Sequence, residues 1–330
     1  MKYKSALVTK RGGLDAVKMV ERELVLPAVG EVRVKILASP VCQDDVAVRI
    51  GNRPFAKKPP FVPGYSILGT VDAIGEDVTG FEIGQRVVAL TNFGGHAEYI
   101  YWEADQLMPV PEDLNPAEAV VLILNYLVAY QILHRVAKVK EGDKVLLIGA
   151  SGGVGTAFLQ LGKLTGLKMY GLASPSKNHI LKEYGATPID YHSQDFVEVF
   201  NEAEPDGLDF VFNGMGEETF ERSMKVLKRG GKIIHYGGPE STANLVKLVG
   251  KLIFYNLMPN GKQIVGYGTH RLGVNLFKED WAKLFELLAA GEIKPIIAAK
   301  FPILDFVKAY EMLERGKVVG NIVLLAPELL

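Results

Sequence analysis

The chain has 330 residues, more than one hydrophobic core commonly fills, so two domains are expected. Its 48% hydrophobic and 23% charged residues are those of a soluble globular protein, and a net charge of −1 gives no electrostatic footprint for nucleic acid or an anionic membrane. A single cysteine excludes an internal disulfide framework and a multi-cysteine zinc site, and MKYKSALVTKRGG at the amino terminus lacks a signal-peptide core, so a cytoplasmic protein is expected.

The first third reads as β-rich. SALVT, AVKMVERELVL, EVRVKILASPV, YSILGTVDAIG, QRVVAL and HAEYIYWEAD are rich in Val, Ile and Tyr and are separated by turn residues. Glycines at 51, 64, 69, 75, 80 and 84 point to a compact barrel-like module. At Pro116 the texture changes: NPAEAVVLILNYLVAYQILHRVA has a Pro-Ala-Glu first turn after Asn115 and an unbroken apolar body, which predicts a buried helix. Its longest apolar run, AVVLILNYLVAY, stops short of the ~20 residues a membrane span needs.

Alternation follows. KVLLIG predicts a strand, and VGTAFLQLGKLTG a helix with Val154, Ala157, Phe158, Leu161 and Leu164 on one face. LKMYGLAS, the helix SKNHILKEYGA ending at Gly185, TPIDY, LDFVFNG, ERSMKVLKRGG, KIIHYGG and QIVGYGT continue the rhythm, which predicts an α/β fold with a doubly wound parallel sheet. NLVKLVGKLIFYNLMPNG, residues 244–261, reads either as a basic amphipathic stretch that touches a membrane or, since its apolar residues follow core periodicity, as a lid or helix packed at the edge of the cofactor domain. Two helices, EDWAKLFELLAAGEI and LDFVKAYEMLERGK, and the strand NIVLLA close the chain.

The turn after KVLLIG carries chemistry. Ala150 to Gly155 is the dinucleotide fingerprint with its first glycine replaced by alanine. Gly152 leaves space where backbone meets a pyrophosphate, Gly155 lets the helix lie close to the strand, and Ser151, Gly153 and Val154 complete the loop. The helix start presents free N–H groups and partial positive charge to phosphates. An NAD site places an acid ~20 residues further on, at the end of the second strand. Here GLASPSK offers Ser174 and Lys177 and no acid, so a 2′-phosphate is attracted and NADP(H) is expected.

Taken together, VPGYSILGTVDAIGEDVTGFEIGQRV, GGHAEYI, PAEAVVLILNYLVAY, GASGGVG, YGATPIDYH and GKIIHYGG resemble the medium-chain dehydrogenase/reductase superfamily. Within it they are most similar to the zinc-free quinone oxidoreductases, zeta-crystallin-like, and especially to the vesicle amine transport protein-like group. The resemblance implies a GroES-like catalytic domain from residues 1–125 and 268–330, with a Rossmann domain, 126–267, inserted between them and the cofactor in the cleft. It also implies that Tyr191 joins Ser174 and Lys177 around the 2′-phosphate, and that Gly237 and Gly238 lie along the nicotinamide half. Asn213 is counted with the cofactor-binding residues, and Asn321 matches a polar position near the nicotinamide. The VGYG stretch, 265–268, is implied to pass the carboxamide and to pair across a homodimer.

Zinc-dependent relatives hold their metal with Cys, His and a second Cys or acid. At those places this chain has Cys42, Tyr65 followed by Ser66, and Leu124, which cannot build a tetrahedral site, so no zinc is expected. Cys42 stands where quinone reductases carry Asn and is either a thiol lining the pocket or a small buried hydrophobe. Asp44 and Asp45 are expected to be structural. Tyr65 is a candidate proton donor or a packing residue, and Asn125 and Tyr126 either contact substrate or ribose or satisfy the helix interior. His96, His134, His179, His192, His235 and His270 lack metal-ligand spacing. What remains is chemistry by positioning: hydride passes from NADPH to a quinone or the β-carbon of an enone, whose conjugation stabilises the developing charge. The alternative is a non-catalytic NADPH-binding module acting through a protein partner or a membrane surface, with no stable membrane insertion and no nucleic acid in either case.

Overall fold

The computed structural model describes residues 1–269 and 274–330; His270 lies outside them. The amino-terminal part forms β1 (Lys2–Val8), β2 (Val17–Glu23), β3 (Glu31–Val41), helix α1 (Gln43–Ile50), β4 (Ser66–Ile74), β5 (Arg86–Leu90), β6 (Tyr99–Glu103) and β7 (Met108–Pro109). A helical run, α2 (Pro116–Ala137), leads to β8 (Lys144–Ile148), α3 (Gly153–Leu164), β9 (Lys168–Ala173), α4 (Asn178–Glu183), β10 (Thr187–Asp190), α5 (Phe196–Ala203) and β11 (Leu208–Asn213). Then come α6 (Phe220–Val226), β12 (Leu227–His235), α7 (Thr242–Leu257), β13 (Gln263–Gly266), α8 (Val274–Ala289), β14 (Ile297–Pro302), α9 (Phe306–Glu314) and β15 (Asn321–Leu325). The chain divides into two compact units, Met1–Leu127 with Val274–Leu330, and Val128–Gly273.

In the first unit the carboxy-terminal tail completes a sheet begun near the amino terminus. Its strand order is β14-β15-β3-β4-β5-β7, with β6 also on β3. β15 runs antiparallel to β3, Ile322 opposite Val41 and Leu325 opposite Ala38. Alternate residues of these strands, among them Val34, Ile36, Ile67, Val87 and Leu324, meet Phe306 and Tyr310 of α9 in one buried core. His96 is tied into that core: its Nε2 lies 3.1 Å from the Pro40 carbonyl and its Nδ1 2.8 Å from the Tyr310 hydroxyl. A carbonyl only accepts, so Nε2 carries the proton and Tyr310 donates to Nδ1. Arg49, fully buried, donates to the Gly12 carbonyl at 2.6 Å and pairs with Glu314.

The second unit is a parallel sheet in the order β10-β9-β8-β11-β12-β13. Counted from β8, this is the doubly wound order 3-2-1-4-5-6. Helix α3 is buried along Gly155–Gly162, more completely than an amphipathic face predicts, whereas Leu164 at its end is 46% exposed. Helix α7 departs further from the sequence pattern, for Leu248 alone of its residues is buried.

Asn115 starts α2 by accepting from the Ala117 N–H at 2.9 Å, with Pro116 in the first turn. The helix widens into π turns at Leu122–Tyr126 and Ile132–Ala137. Trp281 Nε1 donates to the Ile123 carbonyl in the first of these, at 3.1 Å. At 22 residues and a mean hydropathy of 1.5, α2 is longer than its apolar run suggested and long enough to cross a membrane; 78% of its apolar window is buried inside the protein, as in a core helix.

One buried carboxylate, paired with two lysines, holds the end of the second sheet opposite its turns. Glu204, 5% exposed, accepts from Lys144 at 2.6 Å and from Lys168 and Tyr170. Burial alone would raise its pKa, but these donors outweigh burial and hold it down at about 2. A folded-state pKa below the unfolded value gives stability that is present above the unfolded pKa, near 4.3, and lost as pH falls through it toward about 2. Glu204→Gln is expected to destabilise the protein by about 1–3 kcal/mol at neutral pH, since both lysines keep access to water. Urea unfolding of both proteins at stepped pH should show that difference vanish between pH 4.5 and 2.

Candidate dinucleotide and active site

Four turns meet at the carboxyl ends of the central parallel strands, around the point between β8 and β11 where the strand order reverses. The turn after β8 begins with Gly149 at φ +91°, a left-handed conformation that residues with a Cβ avoid. The tight-turn glycine is thus Gly149, one residue before the fingerprint's first place, and Ala150 is a fully buried packing residue. Gly152 caps α3 with no side chain accepting from the helix start, so the first N–H groups remain for an anion. A methyl group at Gly152 would meet only the Gly149 carbonyl, at 3.8 Å; at Gly155 it would lie 2.2 Å from that oxygen.

Half-buried Ser174 and Lys177 follow β9, with Ser174 Oγ 3.2 Å from Ser176 Oγ. Burial lowers the Lys177 pKa. Tyr191, 54% exposed, stands at the end of β10 with its ring 4.2 Å from that of His192. The neighbouring acid, Asp190, is occupied by its own turn: it accepts from the Ser193 hydroxyl at 2.6 Å and the His192 N–H at 3.0 Å, which lower its pKa.

The turn after β11 is shaped by Asn213. Its carboxamide donates to the Gly216 carbonyl at 2.9 Å and Thr219 Oγ1 at 2.7 Å and accepts from the Met215 N–H at 2.9 Å. Asn213 therefore holds the loop. Gly237 follows β12 with no space for a side chain, since a Cβ there would lie 2.9 Å from the Gly214 carbonyl. The strand expected over 265–268 is in place only to Gly266.

In the other unit, Cys42, Asp44, Asp45 and Tyr65 come together around the start of α1. Asp45 accepts from the Cys42 N–H at 3.0 Å, the Cys42 thiol at 3.1 Å and the Gly64 N–H at 2.9 Å. Asp44 pairs with Arg53, Nε to Oδ1 2.9 Å, a partner the sequence pattern did not signal. Burial, then the Asp45 and Asp44 carboxylates, push the Cys42 thiol well up. Tyr65 rises for the same reasons, burial first and Asp44 second, so its phenol stays protonated. Asn125, in the first π turn of α2, donates to Asn321 Oδ1 at 2.6 Å, and Asn321 donates to the Ile296 carbonyl at 3.1 Å.

Residues 28–112 match the alcohol dehydrogenase GroES-like domain family and residues 184–324 the zinc-binding dehydrogenase family. The synaptic vesicle membrane protein VAT-1 homolog of Rattus norvegicus is 31% identical, over 97% of this chain and 83% of that protein. The chain belongs to the medium-chain dehydrogenase/reductase family. Within this family it falls with the quinone oxidoreductases and VAT-1 homologues. The Escherichia coli quinone oxidoreductase, solved complexed with NADPH, matches with a TM-score of 0.88 at 26% identity, over 98% of this chain and 99% of that one. The human VAT-1 homolog-like protein matches with a TM-score of 0.84 at 26% identity, over 99% of each chain. The zinc in the family's description finds no donor set at Cys42, Tyr65 and Leu124, a thiol bound to a carboxylate, a phenol and a hydrocarbon. Among the described residues no group of three His, Cys, Asp or Glu side chains is placed to hold a metal.

The two fingerprint glycines should respond differently. Gly155→Ala forces α3 off its strand and is expected to lower unfolding stability by about 1–3 kcal/mol. Gly152→Ala should leave the urea midpoint near wild type while its methyl group weakens NADPH binding in a calorimetric titration.

Proposed function

We propose that the chain is an NADP(H)-dependent oxidoreductase that passes hydride to a quinone or an activated alkene such as an enone, without zinc. The observation that carries this reading is the end of β9, where a hydroxyl and an ammonium stand in place of the acid that would repel a 2′-phosphate. Ser174, Lys177 and Tyr191 are assigned to that phosphate, the main chain of Ser151–Val154 to the pyrophosphate, and Gly237 and Asn321 to the nicotinamide half; Asn213 acts through the loop it holds. When bound, NADPH supplies the hydride.

Substrate-side roles fall to Tyr65, Cys42 and Asn125. Tyr65 keeps its proton because burial and Asp44 disfavour the phenolate, so it donates a hydrogen bond to the oxygen that gains charge and leaves final protonation to water. Cys42 stays a thiol held by Asp45 and acts neither as base nor as nucleophile. Asn125 is oriented by Asn321. A second reading, NADPH binding in the service of a protein partner or membrane, is favoured by the exposed apolar residues of α7.

NADPH oxidation measured against a panel of quinones and enones separates the two: turnover supports the first, whereas tight NADPH binding without turnover by any electrophile defeats it. Lys177→Ala should weaken NADPH by about 1.5–3 kcal/mol in calorimetry, the range for a charged hydrogen bond, and leave NADH nearly unchanged. Tyr65→Phe is expected to lower kcat about a hundredfold, as loss of one oxyanion donor does. The wild-type kcat–pH profile should show no tyrosine limb up to the ordinary phenol value of about 10.

A further inference from the structure

Between α1 and β4 the chain passes through a tight turn, Arg53-Pro54-Phe55-Ala56. The Ala56 N–H donates to the Arg53 carbonyl at 3.3 Å, and Phe55 has φ +59°. Proline at the second place and a left-handed residue at the third make the pattern of a type II turn, whose third place takes glycine or asparagine because a Cβ there crowds the backbone. A bulky aromatic residue in that conformation is an outlier. Packing gives nothing back, for Phe55 is 90% exposed. One residue thus combines a strained backbone with an apolar ring left in water, and glycine would remove both. Strain kept without a structural return gathers where a ligand is bound.

Both ends of this turn are tied down beside Tyr65. At one end Arg53 holds Asp44, Nε to Oδ1 2.9 Å, at the start of α1, and the Asp44 carboxylate is among the charges that keep the Tyr65 phenol protonated. At the other, the Lys57 ammonium lies 5.1 Å from the centre of the Phe93 ring, and Phe93 packs edge-on against Phe61 at 5.3 Å. Asn92, the residue before Phe93, gives its N–H to the Tyr65 carbonyl at 3.0 Å, as Thr91 does at 2.9 Å. Phe55 stands midway between Arg53 and Lys57 in the chain. It is therefore held at the rim of the group formed by Cys42, Asp44, Asp45 and Tyr65, with its ring uncovered.

An aromatic face fixed in this way suits a flat partner. Two planar π systems gain from offset stacking beyond the area they bury, and a turn already set in place loses little freedom when it binds. A fused-ring quinone presents such a face, and its carbonyl oxygen is an acceptor for the Tyr65 hydroxyl. A short aliphatic enone offers the carbonyl without the ring.

We propose that Phe55 is a specificity residue, its ring stacking on the planar ring system of a quinone whose carbonyl meets Tyr65, and that it selects fused-ring quinones over small aliphatic enones. This rests on the oxidoreductase reading above and narrows its substrate class. The test is steady-state NADPH oxidation by the full chain with menadione, a fused-ring quinone, and with methyl vinyl ketone, for wild type, Phe55→Asn and Phe55→Trp. Asparagine accepts the left-handed turn and brings no ring. Phe55→Asn should raise KM for menadione about tenfold with kcat near wild type, and should move KM for methyl vinyl ketone by less than about twofold. Phe55→Trp should keep the wild-type KM for menadione. The urea midpoint of Phe55→Asn should lie above that of wild type, because the strained residue is gone, while NADPH affinity in calorimetry stays unchanged.

A turn with a structural role alone would move the urea midpoint and leave the ratio of the two KM values at wild type, and that outcome overturns the proposal. So does a Phe55→Asn variant that shifts both acceptors alike, or one with a lower midpoint, which would show the ring packed in the free protein. A dimer in sedimentation velocity that Phe55→Asn dissolves assigns the ring to a second copy and also overturns it. Wild type that binds NADPH and reduces neither acceptor strikes the oxidoreductase reading and the selectivity with it. Turnover of both acceptors at an unchanged ratio strikes the selectivity alone.

Discussion

A Cβ on Gly155 would lie 2.2 Å from the Gly149 carbonyl and 2.5 Å from the Ala150 carbonyl carbon, so α3 lies as near the end of β8 as backbone permits. That approach aims the first N–H groups of α3 past the strand end at an anion. It also explains the buried neighbours. Ala150 faces Gly171 on β9, where a Cβ would come within 2.8 Å of the alanine methyl, so close packing passes from the turn into the adjacent strand. The left-handed Gly149, the uncapped helix start and the strand order around β8 form one arrangement, and the remaining turns of the second unit complete its rim.

The other unit is organised around a carboxylate. Asp45 accepts three hydrogen bonds, two from Cys42 and one from Gly64, and so joins the start of α1 to the segment that carries Tyr65. Its negative charge reaches further, adding to burial in holding both the Cys42 thiol and the Tyr65 phenol protonated. Expected to be structural, Asp45 has that role, and its charge adds to burial and to Asp44 in keeping the two side chains assigned to the substrate protonated.

The doubly wound half was legible because its strands are short apolar runs that end in glycine or a small polar residue, as at Ile148–Gly149 and Ala173–Ser174, and such punctuation is local. Conformation was less so. The fingerprint's first place falls on Ala150, but the residue with positive φ is Gly149, and identity alone does not show which residue turns the chain. β14 went unseen because its residues alternate only between half-buried and exposed and it includes Lys300 and Pro302, the look of a loop. The π turns of α2 leave its apolar periodicity almost unchanged. Long-range charge pairs such as Arg53 with Asp44 and Lys144 with Glu204 leave no trace in spacing. In α7 the pattern misled in the opposite direction: two apolar faces look like a core helix, and only one of them is covered.

The bond between the Cys42 sulfur and Asp45 bears on the protein's own durability. Quinones and enones alkylate thiols by Michael addition, and the attacking species is the thiolate. A pocket that gathers such compounds around an ionised cysteine would arylate itself within a few encounters. With the S–H directed at a carboxylate 3.1 Å away and burial disfavouring the anion, the sulfur is kept chemically quiet in the presence of the electrophiles the protein is proposed to reduce.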